Sequence, residues 1–335
     1  METRKVQFTG NSTFTISLPH DWIEKMGIRK GDTLAIMRDE KGLITVSPAT
    51  GLRTEGKVKT IIVMKEPPAH IERMLIGAYI MGFDMIVVRF KEDKLDSMVK
   101  EGIRQFTRLV TGVEIIEETS NTVVIKDLTD PAELSQEKGV RRLHLIVRSM
   151  HSDAMASLQK KDQSLAEDVI NRDSDADRIY WLIMKAHNML ARNFRIAEKL
   201  HMGPEESSSY FQMARYLERI GDHAVQIARS VILLKDYDIP KDIVSHLKSA
   251  QEHSLKMMDD AVGAFFKRGV SEANQVIDRR DSLKNSLGAI SAGIRKVKSD
   301  EAVHLALIEE SIRRVAYYAT DISEITINYC MLADQ

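Results

Sequence analysis

Cysteine is almost absent from the sequence, since Cys330 is the single cysteine among 335 residues. One thiol forms no disulfide within the chain, and it excludes a zinc site built from several cysteine ligands. Sparse cysteine is typical of proteins in a reducing compartment. We therefore expect a cytoplasmic protein.

Long apolar runs are missing as well. The best run, from Tyr79 to Val88, is interrupted by Asp84 and falls short of the roughly 18 apolar residues that a membrane helix requires. The residues after Met1 also lack the apolar core of a signal peptide. The sequence predicts neither a membrane-spanning nor an exported protein.

Nucleotide-binding fingerprints and an excess of positive charge are both lacking. The sequence contains no G-x-x-x-x-G-K-[ST] motif and no G-x-G-x-x-G after a strand, which disfavours a nucleotide-driven enzyme. The 48 Lys and Arg residues are balanced by 49 Asp and Glu residues, for a net charge of -1. Any contact with nucleic acid must therefore come from a local basic patch.

Residues 1–54 have the pattern of a small β-rich domain. Two β-favouring segments are followed by Pro19, which can open a short helix, and by Gly27, which can cap its end. Two more strands follow, separated by a turn at Lys41-Gly42. A unit of this size has few core side chains, so we expect it to be completed by dimerisation.

Residues 55–130 change to a mixed pattern. Strands and helices alternate in the order βαβαββ, which predicts a small α+β domain with its helices on one face of a mixed sheet. No catalytic constellation is visible in this segment.

The remaining residues, 131–335, have the period of amphipathic helices. Apolar residues recur every three or four positions, and prolines fall only at breaks. Short connections between long helices predict two antiparallel three-helix bundles, at 131–237 and 238–335. The predicted helices are 136–160, 164–193, 206–234, 241–267, 271–297 and 301–332.

Two pairs of acids carry the most specific chemistry. Asp173 and Asp177 are four residues apart on the second helix, and Glu218 and Asp222 have the same spacing on the third. This spacing places each pair on one helix face, so neighbouring helices can direct four carboxylates at one point. A bound cation would relieve their repulsion, because hard metal ions take oxygen ligands. Gly221 permits the two helices to approach closely.

A degenerate copy of this pattern follows about 100 residues later. The positions that correspond to the four acids are Asp281, Asn285, Tyr317 and Asp321. Asn and Tyr are weaker and usually neutral oxygen donors, so we expect weaker metal binding or none in the second bundle. Glu324 follows three residues later and is predicted to be an exposed acid rather than a ligand.

The histidines offer less. His144 and His151 are predicted to be packing or surface residues, and His223 lies about 100° around its helix from the neighbouring carboxylate. Glu301 and His304 form one E-x-x-H motif, whereas a ferritin-like di-iron oxidase requires two.

The acid-bearing helices resemble a known family. Segments 213–228, containing Glu-Arg-Ile-Gly-Asp, and 169–177, containing Asp-Ser-Asp-Ala-Asp, resemble the PhoU family of phosphate-uptake regulators. The resemblance implies two three-helix bundles that hold multinuclear sites of transition-metal ions such as iron or zinc. It also implies regulation of phosphate transport and its gene expression, with the phosphate transporter's ATPase subunit as a partner.

The first 54 residues resemble a different family. The pairs Leu18-Pro19, Gly27-Ile28 and Gly31-Asp32, with the strands around them, are similar to the AbrB/SpoVT swapped-hairpin family. Its members are intertwined dimers, many of which bind DNA, and its combination with a PhoU-like region resembles archaeal proteins. The basic residues predicted to contact phosphates are Arg4, Lys5, Arg29, Lys30, Arg38 and Lys41.

We therefore expect a non-enzymatic, dimeric or higher-order, metal-binding negative regulator of phosphate uptake with a DNA-binding N-terminal domain. Two alternatives stay open. One is a carboxylate-bridged metal enzyme, such as an oxidase. The other is an adaptor in which the N-terminal domain only dimerises. This alternative stays open because residues 1–54 hold eight basic and six acidic residues, a difference of only two charges for binding DNA.

Overall fold

The chain forms two compact units, which are residues 1–57 and 58–335. The computed structural model describes residues 2–10, 12–38, 42–48, 56–64, 66–91, 97–130, 135–192, 196–197, 200, 202–297 and 299–333, with the backbone alone at 37, 284–286, 289, 299 and 333. The two units are described separately below. The finer division of residues 58–335 into one α+β domain and two bundles remains a prediction.

The first unit, which we call the head, is made of two hairpins and one short helix. Strands β1 (Gln7–Thr9) and β2 (Thr13–Thr15) pair antiparallel, as do β3 (Leu34–Arg38) and β4 (Ile44–Pro48). Helix α1 (His20–Lys25) begins after Pro19, as predicted. Gly27, just beyond its end, has a φ of +63°, a left-handed conformation that glycine adopts without strain.

The middle domain is the first part of the second unit. Its elements have the predicted order: β5 (Val58–Val63), α2 (Pro68–Ile80), β6 (Met85–Phe90), α3 (Ser97–Leu109), β7 (Val113–Glu118) and β8 (Thr122–Asp127). The sheet order is β5-β6-β8-β7, with β5 and β6 parallel and the other pairs antiparallel. Alternate strand residues such as Val88 pack with Leu75 and Phe106 into the core between sheet and helices.

Long helices follow from residue 136 onward. One core runs through all of them, with α4, α5 and α6 packed together, α7 packed with α8 to α10, and α6 alongside α10. None of the helices in the described part of the chain has an apolar stretch long enough to cross a bilayer. The helices are α4 (Gln136–Lys160), α5 (Gln163–Arg192), α6 (Pro204–Leu233), α7 (Lys241–Lys267), α8 (Val270–Asp278), α9 (Arg280–Ile294) and α10 (Ser299–Ala333).

The fifth predicted helix, 271–297, was wrong as one continuous helix. It is divided between α8 and α9 at Arg279, whose backbone N–H donates to Val276 O at 3.2 Å. This i→i−3 bond tightens the last turn of α8. The Arg279 guanidinium also bonds to Asp260 of α7 at 2.7 Å. The break therefore has both a backbone and a side-chain cause.

Candidate functional site

The candidate site lies where α5 and α6 pack side by side. Gly221 of α6 is buried at this contact. A Cβ atom at this position would lie 3.3 Å from Val147 Cγ2 and 4.0 Å from Ala176 Cβ of α5. Ala176 and Gly221 each precede one of the predicted acids, so small residues bring the two helices together at that level. The close approach expected from Gly221 is present.

The four acids of the first bundle, here called the carboxylate site, influence one another's charge. Burial, then Asp173 and Asp222, raises the pKa of Asp177 to about 6. Burial, followed mainly by Asp222 and Asp177, raises the pKa of Glu218 to about 7. The pKa of Asp173 is also raised, by burial and by Asp222. Carboxylates from both helices therefore share one region, as their spacing predicted.

The four acids of the carboxylate site differ in their exposure to solvent. Asp222 is exposed, whereas the other three acids are partly buried. Burial raises the pKa of Asp222, and the positive charges of Arg219 and Arg229 oppose that rise. Asp222 is nevertheless the carboxylate whose charge acts most strongly on Asp173 and Glu218.

The residue types fit a divalent cation. Carboxylate oxygens are ligands that such ions accept, and a cation among them would favour their ionised forms. Among the described residues, no group of three or more His, Cys, Asp or Glu side chains already has the arrangement of a metal site. The acids meet as two pairs on facing helices, and their raised pKa values express this proximity.

The corresponding region of the second bundle has a different composition. Asp281 is exposed in the first turn of α9, and Tyr317 is partly buried on α10. Burial and the charge of Glu324 raise the pKa of Asp321, while Arg280 lowers it. The side chain of Asn285 lies outside the described residues.

Glu324 and Arg280 were not among the predicted ligands of this second region. Glu324 is exposed, as the sequence predicted, yet its charge reaches Asp321. Its spacing of three residues from Asp321 was the available signal, because such residues share a helix face. Arg280 gave no comparable signal, since it comes from another helix.

The histidines take the structural roles predicted for them. His144 Nε2 lies 2.8 Å from Asp259 Oδ1, joining α4 to α7. His151 is fully buried against the carbonyl of Ile220, and burial lowers its pKa to about 4. His223 Nδ1 lies 3.3 Å from Ser311 Oγ of α10, so the ring is engaged with α10.

The apolar residues near the acids on α5 pack against two different cores. Ile170, Trp181 and Met184 lie at helical spacing with Asp173 and Asp177. Ile170 does pack against the helical core, but Trp181 packs against the core of the middle domain. The face of α5 that follows the acids therefore turns toward another partner, which the helical period alone does not identify.

The candidate DNA-binding residues of the head are exposed. This holds for Arg4, Lys5, Arg29, Lys30 and Arg38, although Arg4 forms an ion pair with Glu2. Lys41 lies outside the described residues. The backbone N–H of Arg29 donates to Asp32 Oδ2 at 2.7 Å, which fixes the turn before β3. The guanidinium of Arg29 is thereby presented from an ordered turn.

Apolar side chains of the head are also exposed. No described residue between 2 and 57 is buried, and Phe14 is 72% and Ile36 69% exposed. Phe8 and Phe14 contact each other edge to face across the first hairpin, but Phe8 remains 59% exposed. Folded domains rarely expose several large apolar side chains in a segment as short as this unless a partner covers them.

Comparison with solved structures shows the fold of the helical region. The phosphate transport system regulatory protein PhoU from Streptococcus pneumoniae aligns with 58% of this chain and 92% of its own length, at 23% identity and a TM-score of 0.50. PhoU from Pseudomonas aeruginosa aligns with 59% of this chain and 96% of its own, at 21% identity and the same TM-score.

Curated relatives cover a similar share. A phosphate-specific transport system accessory protein PhoU homolog of Clostridium acetobutylicum is 26% identical over 181 residues, or 53% of this chain and 80% of that protein. The PhoU homolog 1 of Thermotoga maritima is 25% identical over 192 residues, or 55% of this chain and 81% of that protein.

Family models identify both regions that the sequence motifs indicated. Residues 7–53 match the model for the antidote-toxin recognition protein MazE, a bacterial antitoxin, which confirms the AbrB-like character of the head. The PhoU domain model matches residues 140–231 and 247–326, together just over half of the chain and including all four acids of the carboxylate site. The chain therefore belongs to the PhoU family.

Proposed function

We propose that this protein is a cytoplasmic, metal-dependent regulator of phosphate uptake, acting negatively, and that its head dimerises and contacts DNA. The observation that carries the metal-binding part is the gathering of Asp173, Asp177 and Glu218, with Asp222, at the contact of α5 and α6. The relatives are named as accessory proteins of phosphate-specific transport, which supports the regulatory role and a non-enzymatic protein.

The bound ion would have a defined chemical role. It would supply positive charge to a site whose acids otherwise compete for protons, with Asp173 and Asp177 as ligands from α5 and Glu218 and Asp222 from α6. Transition-metal ions such as iron or zinc suit this role. The chain's own contribution is to hold the two acid pairs on facing helices.

Metal analysis of paired variants tests the site. Asp177→Ala combined with Asp222→Ala should lower the zinc bound after dialysis, because it removes two of four anionic ligands. Asn285→Ala is the matched control in the second bundle and should leave the total almost unchanged. Equal losses from both variants would contradict a principal site in the first bundle.

The head supports the second part of the proposal. Its exposed apolar residues suit dimerisation, and its exposed cations suit DNA phosphates, which are contacted without sequence specificity. Fluorescence anisotropy with the protein's own promoter region at about 50 mM salt tests this, since electrostatic contacts are strongest at low salt. No binding under these conditions would favour the adaptor, in which the head only dimerises.

The partner of the helical region is proposed to be the ATPase subunit of the phosphate transporter. A pull-down with the purified subunit, with and without the Asp177→Ala and Asp222→Ala changes, tests this contact. Oxygen consumption by the iron-loaded protein would instead favour the carboxylate-bridged oxidase.

A further inference from the structure

Helix α5 carries a second polar face beside its acids. Arg178, Trp181, Lys185, Asn188 and Arg192 recur at intervals of three and four residues, which places them along one side of the helix. We call this set the docking face. Every member contacts the middle domain, as the following distances show.

The first contacts are made at the ends of the helices of the middle domain. Arg178 Nε donates to Leu109 O of α3 at 3.0 Å. Asn188 Nδ2 donates to Ile80 O of α2 at 3.0 Å, and Arg192 Nη1 donates to Met81 O at 3.2 Å. Carbonyls at a helix end lack intrahelical N–H partners. Side chains of α5 therefore cap both helices of the middle domain.

A buried ion pair lies between these caps. Lys185 is fully buried, forms an ion pair with Asp127 at the end of β8, and donates to Thr129 Oγ1 at 2.6 Å. Its ammonium also lies 4.5 Å from the ring centroid of Tyr79. Breaking a buried pair leaves an uncompensated charge, so this contact strongly resists separation of α5 from the middle domain.

The backbone is also closely packed here. Gly82, which follows α2, has a φ of +65°, and a Cβ atom at this position would lie 2.6 Å from Met189 Cγ of α5. Trp181 fills the adjoining part of the middle domain's core. A side chain at position 82 would therefore collide with Met189, so Gly82 permits the close approach of α5 to the middle domain.

The docking face begins one residue after the carboxylate site ends on α5, because the acids lie at 173–177 and the docking face at 178–192. Arg178 directly follows Asp177, so the capping side chain and the acid project about 100° apart from adjacent residues. Ionised acids on α5 and α6 repel each other across the helix contact, and neutralisation removes that force. Because α5 is rigid and contacts both α6 and the middle domain, a shift of α5 relative to α6 also moves the side chains that contact the middle domain.

We propose that α5 transmits the charge state of the carboxylate site to the middle domain through the docking face. Metal occupancy at one face of the helix thereby sets the position and stability of the βαβαββ domain at the other. The effect of metal rests on the metal site proposed above. The effect of α5 on the middle domain depends only on the charges of the acids on α5 and α6.

Hydrogen exchange of the full-length protein, followed by mass spectrometry, tests this inference. Zn²⁺ is the probe, because it is redox-inert, and bound zinc is measured separately by elemental analysis. In the wild type, zinc should slow exchange of amides in α2, α3 and β8 by about fivefold or more, the usual size of coupling between sites.

Two variants separate binding from transmission. Arg178→Gln, Asn188→Ala and Arg192→Gln together remove the caps but keep the buried Lys185 pair, so the fold is preserved. This variant should bind as much zinc as the wild type and show a weaker response of the middle domain, because Lys185 and Trp181 still join α5 to it. Arg142→Gln, an exposed arginine on α4, is the matched control and should respond like the wild type.

A variant measured without metal distinguishes failure of the proposed metal site from failure of the proposed effect of α5 on the middle domain. Asp177→Asn with Glu218→Gln reduces the repulsion between α5 and α6 without any ion, leaving only Asp173 and Asp222 charged, and should slow exchange in the middle domain as zinc does. If zinc does not bind, the proposed metal function fails while this variant still decides the transmission. The inference is overturned by an unchanged middle domain in this variant, by bound zinc without a response, or by an undiminished response without the caps.

Discussion

Neutralising Glu218 should make the metal-free protein more stable at neutral and alkaline pH. The pKa of Glu218 rises from its ordinary 4.5 to about 7, and each pKa unit corresponds to about 1.4 kcal/mol. Taken in full, the rise would correspond to about 3 kcal/mol. The side chain is only partly buried, so solvent screens part of this, and we expect Glu218→Gln to gain about 1–2 kcal/mol at pH 8.

The sign follows from the direction of the pKa change. The folded protein holds the Glu218 proton more tightly than the unfolded protein, so unfolding releases it as the pH rises above about 4.5. The free energy of unfolding therefore falls between pH 4.5 and 7. Glutamine has no proton to lose, and its advantage at pH 5 should be only about a quarter of that at pH 8.

Urea unfolding followed by circular dichroism, in EDTA at pH 5 and pH 8, measures the difference. The dependence on urea should stay unchanged, because neither variant alters the surface exposed on unfolding. Glu167→Gln, an exposed acid on α5, is the matched control and should change stability little at either pH. A loss of stability in Glu218→Gln at pH 8, or an equal gain at both pH values, would refute the gathering of the four acids.

Three further predictions concern packing and the head. Gly221→Val should destabilise the protein by about 1–3 kcal/mol in urea unfolding, because the added side chain meets Val147 of α4; unchanged stability would contradict the close approach of α6 to α4. Residues 1–57 expressed alone should sediment as a dimer, because described apolar side chains such as Phe14 and Ile36 are exposed, and a folded monomer would disprove the swapped-hairpin assignment. Arg38→Ala should reduce the slope of log affinity for DNA against log salt, measured by anisotropy, by about one for each phosphate that the arginine neutralises; an unchanged slope would exclude Arg38 from the interface.

The periodicity of apolar residues predicted most helices closely. Helix 136–160 and helix 241–267 have the predicted bounds. Periodicity identifies which face of a helix is apolar, but a single tightened turn hardly changes the period. The break at Arg279 therefore escaped prediction, because it depends on an i→i−3 bond and on a contact with Asp260.

The candidate site could be predicted from local sequence spacing. The docking face could not, because its partners are distant in the sequence. Spacing of four residues places Asp173 with Asp177 on one helix face whatever the surrounding fold. Lys185, by contrast, is an ordinary lysine within an apolar stretch of the sequence. Its burial depends on Asp127, which precedes it by 58 residues, and the helical period carries no information about such a partner.

The two bundles differ in the charges that lie near their acids. In the first bundle, Asp177 experiences burial and two nearby carboxylates, and these are the causes that raise its pKa. In the second, the charge of Arg280 opposes the rise at Asp321. Arginines also oppose the pKa rise in the first bundle, at Asp222 and Glu218. The two regions therefore differ in how many carboxylates act on one another, because several acids raise the pKa of Glu218 whereas Glu324 alone does so at Asp321. We therefore expect a bound cation to stabilise the region of the four acids more than the region of Asp321.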